Sequence, residues 1–146
     1  TQTFDSNGNV ILGEYEYRNK YFGVIVSHFT PSGLDDWSRF IFKEQLTGDD
    51  HGASSSFYAL AYPNDLHLFY ATLDESRAIQ LGWGLSLMMH LHFKPDGQQT
   101  KEVMFYANEV KRQPKYRYGI RLSRNEVVFP VKGRKRAGLI SISIKD

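Results

Sequence analysis

In the segment Leu139-Ile140-Ser141-Ile142-Ser143-Ile144-Lys145, apolar and polar side chains alternate from Ile140 onward. A strand turns successive side chains to opposite faces, so Ile140, Ile142 and Ile144 point one way and Ser141, Ser143 and Lys145 the other. The same period governs Lys115 to Leu122, which puts Tyr116, Tyr118, Ile120 and Leu122 on an expected core face opposite Lys115, Arg117 and Arg121. Outward from these two segments, β-branched and aromatic runs mark further strands over Val10–Tyr17, Phe22–Phe29, Ser38–Lys43, Phe57–Tyr62, Leu66–Thr72, Leu85–Phe93, Lys101–Ala107 and Glu126–Lys132. Between them fall Asn7-Gly8-Asn9, Pro31-Ser32-Gly33, Pro63-Asn64-Asp65, Pro95-Asp96-Gly97 and Ser123-Arg124-Asn125, where Gly supplies positive φ and Pro presets a turn. Only Asp74 to Leu81, with Asp74 as N-cap and Gly82 as stop, reads as a helix.

Short strands joined by short turns predict an all-β antiparallel protein, built as propeller-like hairpins or as a two-layer β-sandwich. The 146 residues suit a single all-β domain spanning 1–146, and 41% hydrophobic content suffices for a substantial core. A weak echo supports the hairpins: Leu66-His67-Leu68-Phe69-Tyr70-Ala71 resembles Glu102-Val103-Met104-Phe105-Tyr106-Ala107, with Glu126 to Val131 a fainter third copy. Each copy follows an earlier strand, so three hairpins are expected.

The chain has no cysteine, which excludes disulfides, thiolate metal sites and a Cys nucleophile. No apolar run approaches the ~20 residues that cross a bilayer as a helix. The formal charge of +2 hides a split. Residues 1–100 carry six Lys/Arg against twelve Asp/Glu, and residues 101–146 carry twelve against four. Arg134, Lys135 and Arg136 head the basic section and are candidates for binding an anionic polysaccharide or an acidic protein surface. Nucleic acid is not the expected partner, because the tyrosines that would stack on bases share the apolar face rather than the basic one.

Asp49, Asp50 and His51 precede a hydroxyl-rich run and form a candidate ligand loop whose oxygens suit Ca²⁺. His90 and His92, two apart on one strand, share a face and could hold Zn²⁺ with a third ligand from His28, His51, His67 or a carboxylate. Trp83, between Gly82 and Gly84, is a candidate sugar-stacking platform. No motif requires a cofactor, and no P-loop, dinucleotide-binding, nucleophile-elbow or zincin signature is present.

Pro31-Ser32-Gly33-Leu34-Asp35-Asp36-Trp37 resembles a degenerate Asp-box turn of sialidase-like propellers, with its Gly on the other side of the aspartates. The stretch from Trp37 through Lys43-Glu44-Gln45, Asp49-Asp50-His51-Gly52 and Ser54-Ser55-Ser56, closed by Arg136-Ala137-Gly138-Leu139-Ile140, resembles uncharacterised exported bacterial proteins of propeller-like type. The resemblance implies a secreted or cell-envelope protein of which this chain would be the C-terminal portion. It carries no activity. The expected function is therefore a non-catalytic binding or structural domain contacting carbohydrate or another protein, with oligomerisation open. The alternative is a glycoside hydrolase-like or metal-dependent enzyme using His90, His92 and the acidic loop.

Overall fold

A computed structural model describes residues 3–4, 10–11, 18–48, 53–54, 56–74, 85–106, 113–132 and 137–144. Among the described residues, twelve antiparallel strands run in chain order: β1 (Thr3–Phe4), β2 (Val10–Ile11), β3 (Arg18–Phe29), β4 (Asp35–Gly48), β5 (Phe57–Ala61), β6 (Leu66–Asp74), β7 (Leu85–Phe93), β8 (Gln99–Tyr106), β9 (Gln113–Pro114), β10 (Ile120–Ser123), β11 (Glu126–Lys132) and β12 (Ala137–Ser143). The expected helix begins at Asp74, which instead ends β6; its remaining residues lie outside those described, as does most of the expected Val10–Tyr17 strand.

The strands form two hairpins, β1–β2 and β3–β4, and two four-stranded sheets: the meander β5-β6-β7-β8, and β10-β11-β12 with β9 added to β11. All three expected hairpins exist, as β5–β6, β7–β8 and β10–β11. Pairing of β6 with β7 fuses the first two into one sheet.

The meander lies between two other layers. Leu68, Tyr70, Met89, Leu91 and Phe93 on one of its faces pack with Val24, Val26 and Ile41 of the β3–β4 hairpin. Phe69, Ala71 and Met88 on the other face pack with Tyr116, Val127, Phe129, Ile142 and Ile144 of the C-terminal sheet. A strand covered on both sides has no solvent face, which is why β6 and β7 read as near-continuous apolar runs while β12 alternates. The architecture is thus three layers of antiparallel β-structure, one more than a simple sandwich.

Trp37 ties the first layer to the second. Its ring stacks near Phe93 at 5.7 Å and its indole N–H donates to the Pro95 carbonyl at 2.9 Å. The Asp-box-like segment is the β3–β4 turn: Gly33 takes a φ of 83°, and its N–H donates to the Thr30 carbonyl. Asp35 and Asp36 already belong to β4.

The expected strand over Lys115 to Leu122 is corrected. Tyr116–Tyr118 form one 3-10 turn, and only Ile120–Ser123 extends as β10. The turn closes on itself through Tyr118 N–H to the Lys115 carbonyl and Gly119 N–H to the Tyr116 carbonyl. It sends Tyr116 into the core, while Tyr118, Ile120 and Leu122 are exposed. Gly119 is required by space: a Cβ there would sit 2.6 Å from the Tyr58 ring and 2.7 Å from Phe129. The interruption also reverses the phase. The exposed Ile120 pairs with Val128, and Arg121 pairs with the core residue Val127 and reaches over the Tyr62 ring at 4.8 Å.

Candidate functional site

Strand register assembles a row of histidines on the meander face that looks toward the C-terminal sheet. His67 of β6 stands directly opposite His92 of β7, and His90 stands opposite Phe69 on one side and Glu102 of β8 on the other. The four rings stack in sequence. His92 to His67 is 4.5 Å between centroids with 3° between planes, His67 to His90 is 5.1 Å and 12°, and His90 to Phe69 is 4.7 Å and 8°. Tyr62 meets His67 edge-on at 5.5 Å. Phe69 anchors the buried end of the row, and His92 is its half-buried, outer end.

Carboxylates orient the row from both flanks. His90 Nδ1 lies 2.6 Å from Glu102 Oε1, and His92 Nε2 lies 2.5 Å from Asp65 Oδ1. His67 Nδ1 and His90 Nε2 are 2.9 Å apart. An ionised carboxylate only accepts, so His90 donates from Nδ1 and, when neutral, its Nε2 accepts from His67 Nδ1–H. The partners thereby fix the tautomers of both buried rings. The Nδ1 of His92 makes no hydrogen bond among the described residues.

Two clefts open beside the row where the meander and the C-terminal sheet part. One, of about 390 Å³, is lined by Tyr62, Asp65, His67, His92, Arg124 and Asn125. The other, of about 650 Å³, is lined by His90, His92, Thr100, Glu102 and, from the opposing sheet, Ser143 and Ile144. Both volumes fall in the range of small-molecule sites. The wall of the first is held by the β10–β11 turn: the Tyr62 hydroxyl donates to the Arg124 carbonyl, and Ile144 N–H donates to the Asn125 carbonyl at 2.8 Å.

His90 and His92 share a face, as their spacing requires. Both nitrogens of His90 are engaged, by His67 and Glu102, and among the described residues no group of three or more His, Asp or Glu side chains is arranged to hold a metal ion. Asp49, Asp50, His51, Trp83, Arg134, Lys135 and Arg136 lie outside the described residues. In the sequence His67 stands only among several candidate third ligands, and Tyr62, Asp65, Glu102, Arg124 and Asn125 carry no site signal. Turn chemistry marked Asp65, Arg124 and Asn125 as loop residues, but their convergence depends on the pairing of β6 with β7 and on the packing of two sheets. No protein-family model matches the chain, and comparisons with curated proteins and with solved structures return no match.

Proposed function

We propose that the chain is a non-catalytic binding domain of an exported bacterial protein, and that the cleft beside His92 takes a saccharide. The observation that carries this reading is the lining of that cleft: Asp65, His92, Arg124 and Asn125 around one cavity of about 390 Å³, with Tyr62 as an aromatic wall. Carboxylate, imidazole, guanidinium and carboxamide groups together match the donors and acceptors of vicinal hydroxyls, and an aromatic wall suits the apolar face of a sugar ring. Asp65 and His92 orient each other, and the Tyr62 hydroxyl is held by the Arg124 carbonyl, before any ligand arrives, which lowers the ordering cost of binding. A glycan-array screen followed by calorimetry tests it. Saccharide binding that weakens by about tenfold or more in His92→Ala, equivalent to ~1.4 kcal/mol, supports the reading; an array without a hit removes it.

A second reading rests on the Asp65–His92 pair. A carboxylate on one imidazole nitrogen orients the other as a general base, and the 2.5 Å contact has that form. Glycoside or ester turnover abolished by His92→Ala would favour this enzyme over the binding domain.

A further inference from the structure

We infer that the outer face of the β3–β4 hairpin is the interface of a face-to-face dimer of this chain. The inner face of the hairpin is occupied, with Val24, Val26 and Ile41 packed on the meander. The outer face carries Ile25, Phe29, Phe40 and Phe42, which are 71%, 57%, 65% and 60% exposed. They form one surface by register: Ile25 pairs with Phe40, Phe42 pairs with Gly23, and Phe29 lies on the Ile25 side of the same strand. The Phe40 ring packs against Gly23, where a Cβ would come within 2.3 Å of it.

Three properties of this face point to a second copy as its occupant. The first is area. Three phenylalanines of ~150–250 Å² each and one isoleucine, all 57–71% exposed, offer ~500 Å² per copy, so two copies would bury ~1,000 Å², the lower bound of a specific association. The second is polarity. The outward residues between Gly23 and Phe29 and between Ser38 and Phe42 are apolar, glycine or serine. The Ser27 and Ser38 hydroxyls bond each other at 2.8 Å, so burial strands neither of them. A surface with no charge to complement suits its own copy related by a two-fold axis. The third is the rim. Asp35 and Asp36 stand at the turn end, with Asp35 accepting from the Ser38 hydroxyl; these carboxylates oppose docking on an anionic membrane. Stacking a second hairpin at the ordinary ~10 Å sheet separation continues the layering already present inside each copy.

Light scattering of the eluting protein at ~100 µM, well above a micromolar dissociation constant, tests the inference. The wild type is expected at twice 16.9 kDa. Phe42→Lys and Ile25→Lys, each placing like charges across the two-fold axis, are expected at the monomer mass with an unchanged circular dichroism spectrum. A wild type that elutes as a monomer at this concentration overturns the inference without recourse to any variant, and a dimer that survives both substitutions overturns it equally. A monomer that instead sediments with vesicles of phosphatidylcholine and phosphatidylglycerol would assign the face to a lipid surface and exclude the dimer.

Discussion

Phe129→Ala is expected to lower the unfolding free energy by ~3–5 kcal/mol, the usual range for truncating a fully buried phenylalanine. Phe129 sits in the middle of β11 with no solvent exposure. Its ring contacts Tyr58 of β5 at 5.5 Å, Tyr116 at 5.7 Å and Phe69 of β6 at 5.8 Å. These rings join the C-terminal sheet to the meander, so their loss opens a cavity between two layers that backbone hydrogen bonds hold in place and that cannot readily collapse. Against a total stability of ~5–15 kcal/mol, this is a large fraction, and the melting temperature should fall by ~10 °C or more. Leu139→Ala, at an exposed position on the outer face of β12, provides the control and should stay within ~0.5 kcal/mol of wild type. Chemical denaturation of both variants is the measurement. A loss below ~1 kcal/mol at Phe129 would mean that the two sheets are not packed through this cluster.

The stability of the protein should rise between pH 8 and pH 10, because Lys43 is buried. Lys43 follows Ile41 on the inner face of β4, and its Nζ donates to Gln45 Oε1 at 2.9 Å and to the Ser56 carbonyl at 3.1 Å. The amide of Gln45 in turn donates to the Ser54 carbonyl at 2.9 Å. Burial lowers the ammonium group from 10.5 to about 8. A depressed lysine is a cost to the folded state wherever the charged form must be buried, fully present below pH 8. Between pH 8 and 10.5 the unfolded chain binds more protons than the folded one, so stability increases with pH there. The gap, at ~1.4 kcal/mol per pH unit, sets a ceiling of ~3 kcal/mol. Tyr70 and Tyr116 act in the opposite sense. Burial raises both above the usual phenol range, so their contribution is complete below pH 10 and is lost above it. Urea unfolding at pH 8 and pH 10 should therefore differ by ~1 kcal/mol in favour of the higher pH, the ~2 kcal/mol gain from Lys43 being partly offset by the two tyrosines as pH 10 is reached. Lys43→Met should remove the difference. A wild type with no such slope, or a slope that persists in Lys43→Met, contradicts the burial of this ammonium.

Strands whose ends carry turn residues were legible from sequence. Leu85–Phe93 and Glu126–Lys132 match the observed β7 and β11 in both bounds, and Pro95-Asp96-Gly97 is the turn after β7. Where a strand ends without such punctuation, the reading fell short. Asp35 and Asp36 looked like turn chemistry yet open β4, because the carboxylates bond to Ser38 and His28 beside them rather than cap backbone amides. Alternation alone misplaced Ile120 and Leu122, since one 3-10 turn at Tyr116–Tyr118 shifts the phase of everything that follows in β10. Period also could not say how many layers there are. The runs in β6 and β7 are apolar on one face and set His67, His90 and His92 among apolar residues on the other, and that pattern implies two covers without naming them.

The site was legible to the same depth. A spacing of two put His90 and His92 on one face, which is a local property of any strand. The position of His67 against His92, and of Glu102 against His90, is a property of register between strands that no spacing within one strand encodes. The candidate ligand residues of the acidic loop, Trp83 and the basic Arg134 to Arg136 run fall outside the described residues and stay as expectations from sequence.

Under the proposed function, a carboxylate-oriented histidine row presents its outer ring, His92, to a saccharide. Nitrogen-15 spectra of the imidazoles, recorded while the strongest array hit is titrated in, address it most directly. The predicted result is a His90 that carries its proton on Nδ1 and does not move, with a His92 whose resonances shift in proportion to occupancy. Saturation of the protein by the saccharide with His92 unmoved would contradict it.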